Sequence, residues 1–398
     1  MVYILTIIVL VYFIFKYDVA GAQNSPTYNK LYTMTMIWFI CISGFAYNVG
    51  SDMAAYMTEY DHASWSNLPS FKDMLENNER RMPFWTILVT LCHSISSDFV
   101  VLKLVTAAFC NWSFFRFIKK HAQYPFISVL LFAVILYLNM NFNALRQMVS
   151  VAIFLWGYEF LTDKKWIAYY MTIVVAYLFH SSALICFLFP LFTFIKINTK
   201  TTIIIAGAVF VLSAYFYVSD INGLLQGFFF MYGGEMSADI QEAANTYLTD
   251  DAVSEMNING LISILFYTFF YSLILYMSLG AYSETGKKMD TQFYVIFLLF
   301  FALNFTLPVV FFRFLFYVQF FYIIMCPTGI LNMLRSFNLK NKAVIFLVFT
   351  FVVFNPIKQL FVENKKSGVP LIYQYYPYYS VFNPEIDPLR NSLFGSHK

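Results

Sequence analysis

The sequence predicts an all-α, polytopic membrane helix bundle of about twelve transmembrane helices with one short re-entrant helix, and three observations carry that expectation. Apolar residues make up 60% of the 398 and charged residues 12%, whereas soluble domains carry about 25% charged residues. The apolar residues come in repeated runs, and many approach the roughly 20 residues that a helix needs to cross a hydrocarbon core. Most lysines and arginines sit in short loops between those runs. Residues 1–398 are therefore read as a single transmembrane domain. The net charge of +3 is too small to point to nucleic acid. Cys41, Cys92, Cys110, Cys186 and Cys326 all lie in apolar stretches and read as small buried hydrophobes with no redox meaning.

Hydropathy places spans near 2–15, 31–47, 99–118, 124–138, 143–161, 166–179, 180–195, 201–218, 260–282, 292–310, 311–334 and 342–361. The first run, Val2 to Phe15 with Ala20-Gly21-Ala22 behind it, has the outline of a signal peptide. No basic residue precedes it, and Lys16, Tyr17 and Asp18 intervene, so it is read as an uncleaved first span. Pro83 to Ile95 is apolar but too short to cross alone, and Ser94-Ile95-Ser96-Ser97-Asp98 closes it. A re-entrant helix is expected there, which requires protein to shield its ends. The long polar stretches are 48–98, 219–260 and the tail 362–398. In the tail, Tyr373 to Tyr379 and the four prolines from Pro370 to Pro388 suit an ordered segment packed at the membrane interface. No internal repeat or low-complexity tract is evident.

Orientation follows from the loop charges. Arg116 with Lys119 and Lys120, Lys164-Lys165, Lys196 with Lys200, Lys287-Lys288, and Arg335 with Lys340 and Lys342 form the basic set. The stretch from Ser219 to Gly260 has neither lysine nor arginine. Alternation through the spans puts the basic loops in the cytoplasm and 48–98, 219–260 and the tail outside. The scheme closes only if Pro83–Ile95 does not cross.

That topology delivers dispersed polar residues to one face. Asp52, Glu59, Asp61, His62, Glu79, Arg80 and Arg81 fall in the first outer loop. Arg146 and Gln147 open a span after Asn139-Met140-Asn141-Phe142-Asn143, His180 sits at an outer junction, and Arg313 lies just inside an outer helix end. Arg313 is surrounded by Phe311, Phe312, Phe314, Leu315 and Phe316. It is either an interfacial anchor that snorkels or a cavity residue, with Pro308 opening the helix ahead of it. Arg146 stands against the inside preference for arginine, which favours binding; a guanidinium there suits bidentate capture of phosphate oxygens. His180 is either a turn histidine or a general base near pH 7. Asp52, in Gly50-Ser51-Asp52, is either a helix N-cap or a catalytic carboxylate. Glu79-Arg80-Arg81 reads first as a solvated patch.

Several signatures are absent from the sequence. It carries no P-loop, no GxSxG elbow, no His/Cys/Asp cluster with metal-ligand spacing and no DxD-type cluster on the cytoplasmic side. No cofactor is expected, and any glycosyl donor has to arrive pre-activated and membrane-borne.

The chain resembles the EpsG-like branch of Wzy-type polysaccharide polymerases. The resemblance rests on an ordered set of motifs: Gly50-Ser51-Asp52 with Tyr56 and Tyr60, Arg80-Arg81-Met82-Pro83-Phe84, and Asn143-Ala144-Leu145-Arg146-Gln147. Phe179-His180-Ser181-Ser182-Ala183-Leu184, Arg313 with Tyr317, and Tyr376-Pro377-Tyr378-Tyr379-Ser380-Val381-Phe382 complete it. Where an acidic residue is expected just before the proline, this chain has Arg80-Arg81-Met82-Pro83, with Glu79 nearby.

The resemblance implies a GT-C-like glycosyltransferase that extends O-antigen, capsule or exopolysaccharide from undecaprenyl-diphosphate-linked units on the outer face of the bacterial inner membrane. It implies His180 and Asp52 as catalytic groups and Arg146, Arg313, Gln147, Arg81 and Tyr56 as diphosphate or sugar ligands, without a metal. Tyr376–Phe382 is expected to cover part of that site. Its partners are then the lipid-linked donor and acceptor, membrane lipid, a flippase and a chain-length regulator. A flippase would instead distribute functional charge through span centres and show internal symmetry. A membrane acyltransferase would need catalytic polar groups toward a cytoplasmic donor entrance. An O-antigen ligase differs only in its acceptor.

The orientation is directly testable. Cysteines introduced at Ser237 and Ser392 in a cysteine-free background should react with an impermeant maleimide in intact cells or spheroplasts. Labelling of either position only after lysis overturns the orientation.

Overall fold

The computed structural model describes residues 2–68, 70, 82–218, 258–284, 288–304, 308–336, 357–358, 360–363, 368–385 and 390. Among them the chain is helical, with isolated β-bridges and no strand. The helices are α1 (Val2–Phe13, continued by a π-helical turn Ile14–Val19), α2 (Pro26–Gly44), α3 (Met53–Asp61), α4 (Pro83–Ile95) and α5 (Val100–His121). They continue with α6 (Pro125–Phe142, with a π-bulge at Ala133–Tyr137), α7 (Leu145–Thr162) and α8 (Trp166–Phe179). A 3-10 stretch Ser181–Leu188 and one α-turn Phe189–Phe192 lead to α9 (Thr199–Val218), α10 (Ile258–Glu284), α11 (Lys288–Leu303) and α12 (Pro308–Ser336).

Proline starts several of these helices. Pro26, Pro83 and Pro125 stand at first helical positions, where the missing N–H has no partner to lose. Ser25 adds a side-chain cap to α2, accepting from Thr27 N. Pro308 is the first described residue of α12.

By length and composition, five described segments can cross a membrane: Val2–Val19, Val100–His121, Pro125–Phe142, Leu261–Tyr282 and Val310–Met333. Pro83–Ile95, Trp166–Phe179, Ser181–Phe192 and Thr199–Tyr215 are shorter apolar helices. Hydropathy counts apolar residues, whereas crossing requires rise: the 14 residues of α8 extend only about 21 Å at 1.5 Å per residue. Most of the span expected at 342–361 lies outside the described residues.

The chain divides into two compact units, Met1–Leu184 with Leu339–Lys398, and Ile185–Asn338. In the first, α2 packs on α5, α5 on α7, α7 on α8, and α4 on both α5 and α8. Buried hydrogen bonds tie these helices: Tyr32 Oη donates to Phe115 O at 2.9 Å, and Tyr137 Oη to Phe39 O at 2.6 Å. Asn111 Nδ2 donates to Asn141 Oδ1 at 2.9 Å. Lys103, 1% exposed, donates from Nζ to Asn141 O at 2.8 Å and lies 5.2 Å from the Phe142 ring. A buried cation is costly in lipid. The closing carbonyls of α6 and a ring face offset that cost here.

At the other end of α5, Arg116 and Lys120 both reach Glu159 of α7, at 2.7 and 3.1 Å. The Arg116 guanidinium lies 3.7 Å from the Trp156 ring centroid. Two members of the basic set are thus bound up in interhelical packing.

The short helix α4 has its far end tied down. Tyr60 Oη donates to Ser96 O at 2.6 Å and Trp65 Nε1 to Ser94 Oγ at 2.7 Å. Ser94 and Ile95 at that end are exposed.

In the second unit, α12 packs on α10 and α11, and α9 on α10. Tyr271, Phe297, Phe301 and Tyr322 form an aromatic cluster, with ring centroids 4.9–6.2 Å apart. Pro327 withdraws one N–H from α12, and Tyr282 Oη donates to Ile324 O in that turn at 2.7 Å.

Gly50 is the tightest of the described glycines in the first unit. Its φ is +110°, and a Cβ there would lie 2.0 Å from Phe142 O and 2.7 Å from Asn143 Oδ1. Gly50→Ala should destabilise the protein by about 1–3 kcal/mol from backbone strain alone, with steric overlap adding to it. The expected readout is a lower melting temperature of detergent-purified protein. An unchanged melting temperature would contradict this packing.

Candidate functional site

The first unit brings three sequence-distant segments together at the break between α6 and α7. The break consists of Asn143 and Ala144, and its amide side chain is fully used. Ser51 N donates to Asn143 Oδ1 at 2.9 Å, while Asn143 Nδ2 donates to Gln374 Oε1 at 3.0 Å and Tyr375 Oη at 2.8 Å. Gly50 N donates to Gln374 O at 2.9 Å. Because Ser51 N is an obligate donor, the amide orientation follows from the network.

The tail continues along the same loop. Tyr47 N donates to Tyr379 O at 3.0 Å and Val381 N to Phe45 O at 2.9 Å, around an antiparallel bridge between Ala46 and Ser380. Tyr378 Oη donates to Ile42 O at 2.9 Å. The tail segment expected over the site therefore lies on residues 42–50.

Asp52 occupies the capping position of α3, yet its carboxylate makes no capping hydrogen bond. Its Oδ1 instead accepts from Ser51 Oγ at 3.0 Å. One turn on, the buried Tyr56 places its hydroxyl 3.5 Å from Asn143 O and its ring 5.5 Å from Trp85. The Arg146 guanidinium lies 5.9 Å from the same ring. Burial pushes the Tyr56 phenol above its ordinary pKa; Arg146 draws it back by charge and hydrogen bond, and Asp52 and Glu59 push it up. A cation and two carboxylates thus act on one hydroxyl. Arg146 is also the second residue of α7, where the helix dipole adds positive potential and backbone N–H groups favour an anion.

Gln147 is buried rather than presented. Its Nε2 donates to Ser182 Oγ at 3.2 Å, and that hydroxyl lies 2.7 Å from His180 Nδ1. Ser182 N also donates to His180 Nδ1, at 3.2 Å. A backbone N–H can only donate, so Nδ1 holds a lone pair and the neutral ring carries its proton on Nε2. The half-buried His180 closes α8 in extended conformation, as a turn residue whose ring orientation is set by Ser182.

Two predicted site residues remain. Arg81 lies outside the described residues. Arg313 is half-buried on the second turn of α12 in the second unit, next to Phe311 and Phe314, which both pack on Phe300. Sequence reasoning gave Lys103 and Arg390 no part, and it quoted Ser182 and Asn143 as members of motifs without assigning either a role.

A family model described as the EpsG family matches residues 29–380. No curated protein matches the chain, and no solved structure does.

The ring state of His180 is measurable. Nitrogen-15 spectra of histidine-labelled protein should contain a signal set with protonated Nε2 and unprotonated Nδ1 that disappears in His180→Asn. Loss of an Nδ1-protonated set instead would refute the assignment.

Proposed function

The chain belongs to the EpsG family, the family of Wzy-type polysaccharide polymerases, and from that premise we propose a specific reaction for this membrane polysaccharide polymerase. It joins undecaprenyl-diphosphate-linked oligosaccharide repeat units on the outer face of the bacterial inner membrane. An acceptor sugar hydroxyl attacks the anomeric carbon of the donor. The bond from that carbon to the diphosphate oxygen breaks, polyprenyl diphosphate leaves, and the hydroxyl proton passes to a base. About twelve spans form a GT-C-like bundle in this reading. Residues 219–260 and 362–398 lie outside, and a flippase and a chain-length regulator act beside it.

One observation carries the reading: the Arg146 guanidinium lies 5.9 Å from the ring of Tyr56, a buried phenol on which the charges of Arg146, Asp52 and Glu59 all act. The leaving diphosphate gains charge as its bond to sugar breaks, and a positioned guanidinium stabilises that change. Asp52 is the base in this scheme, since its carboxylate is not spent on capping α3. With its proton on Nε2, His180 serves as a neutral hydrogen-bond donor to a phosphate or sugar oxygen. Gln147 holds that histidine through Ser182. Arg313 is a second phosphate ligand, argued from its sequence position near a helix end.

The test is the polymer ladder made in a strain lacking the native gene, with protein level followed by a tag. Arg146→Lys should fail nearly as badly as Arg146→Ala, because lysine keeps the charge but loses the planar fork. Asp52→Asn should lower polymer yield by roughly 10²–10⁴-fold, the usual worth of a general base. His180→Gln, which places an N–H near the Nε2 position, should retain far more activity than His180→Ala. Full ladders from Arg146→Lys would falsify bidentate diphosphate binding. Equal loss in both His180 variants would return that residue to the role of base.

A further inference from the structure

The tail carries an arginine that neither the motifs nor the reaction scheme uses. Arg390 is 2% exposed, and its guanidinium gathers three backbone carbonyls from two separate segments. Nε donates to Tyr373 O at 3.2 Å, one terminal nitrogen to Asn48 O at 2.8 Å, and the other to Pro377 O at 2.5 Å. The Tyr379 ring lies 5.6 Å from its central carbon. Burying a guanidinium is expensive unless its donors are met, and here all three of its nitrogens donate.

What it joins matters more than its burial. Tyr373 and Pro377 flank Gln374 and Tyr375, the two residues that hold the Asn143 amide. Asn48, with φ +45°, precedes Gly50-Ser51-Asp52. One guanidinium therefore spans the tail turn and the loop that enters α3, next to the break that leads into Arg146.

We propose that Arg390 is a positioning residue for the Asp52–Tyr56–Arg146 site: it fastens the 370–384 turn onto residues 45–52 and thereby holds the Asn143 junction in register. This rests on the polymerase reading of that site. Arg390 does not touch the reacting atoms in this scheme. It acts through Asn143, Ser51 and Gly50. Lysine cannot replace it, because a single ammonium cannot present three divergent donors to carbonyls on two segments.

The bridge between Ala46 and Ser380 allows a decisive test. Paired residues in an antiparallel bridge have Cα atoms roughly 4.5–5.5 Å apart, within the window for a disulfide. An Ala46→Cys/Ser380→Cys pair can therefore tie the same two segments covalently, with each single substitution as a control. Arg390→Ala and Arg390→Lys should both lower polymer yield by roughly 10–100-fold at normal protein level, the range expected when a positioned group shifts by about 1 Å. In the oxidised double-cysteine background, Arg390→Ala should regain most of that yield, and reduction should abolish the rescue. Undiminished polymer in both Arg390 variants, or a loss that the disulfide does not repair, overturns the proposal.

A second readout needs no polymerase activity. Oxidant-driven cross-linking of the cysteine pair should be several-fold slower with Arg390→Ala than with Arg390 present. An unchanged rate likewise overturns the positioning role, whatever becomes of the reaction assigned to the site.

Discussion

The first unit depends on one constraint: a break in helical backbone, packed against apolar helices, has to find partners inside the protein. Between Phe142 and Leu145 the α6 ladder ends and α7 begins, leaving carbonyls and N–H groups that lipid cannot serve. The fold answers from several directions. Lys103 takes Asn141 O, Asn143 N and Ala144 N turn back to Asn139 O, and the Tyr56 hydroxyl reaches Asn143 O, while the Asn143 side-chain amide binds loop and tail at once. Each of these ties also fixes the approach of Arg146, three residues beyond Asn143. The requirement to satisfy backbone and the placement of Arg146 are met at the same junction.

Charge is distributed accordingly. Arg116, Lys120 and Glu159 form an ion-paired cluster that joins α5 to α7, a structural use of charge near one end of both helices. Around the break, Lys103 and Arg390 are sequestered against backbone carbonyls, while the Arg146 guanidinium lies 5.9 Å from the Tyr56 ring, whose phenol also feels the charges of Asp52 and Glu59. Charge opposed by carbonyl dipoles organises the chain. Charge gathered around a phenol suits a substrate that gains negative charge during reaction.

The histidine shows how a local hydrogen bond assigns chemistry that composition leaves open. Residue type permits His180 to act as base, acid or donor. The Ser182 backbone N–H on Nδ1 selects one tautomer, and Gln147 across the α7–α8 interface steadies the serine that selects it. A residue quoted for its place in a motif thus has its ring state set by its neighbour two positions on.

Much of the architecture was legible in the sequence because helix formation is local. Apolar run length set the membrane class. Pro83–Ile95 and Trp166–Phe179 keep the bounds that pattern alone suggested. The family, too, was legible as an ordered set of short motifs, and the match over residues 29–380 bears it out. The tertiary structure alone decided which polar groups meet. Asn143 reaches a tyrosine 232 positions away and Arg390 a carbonyl 342 positions away. Neither pairing leaves a periodicity or a spacing to read. Backbone groups bury only where packing places them, and partners at such separation are chosen by the folded chain.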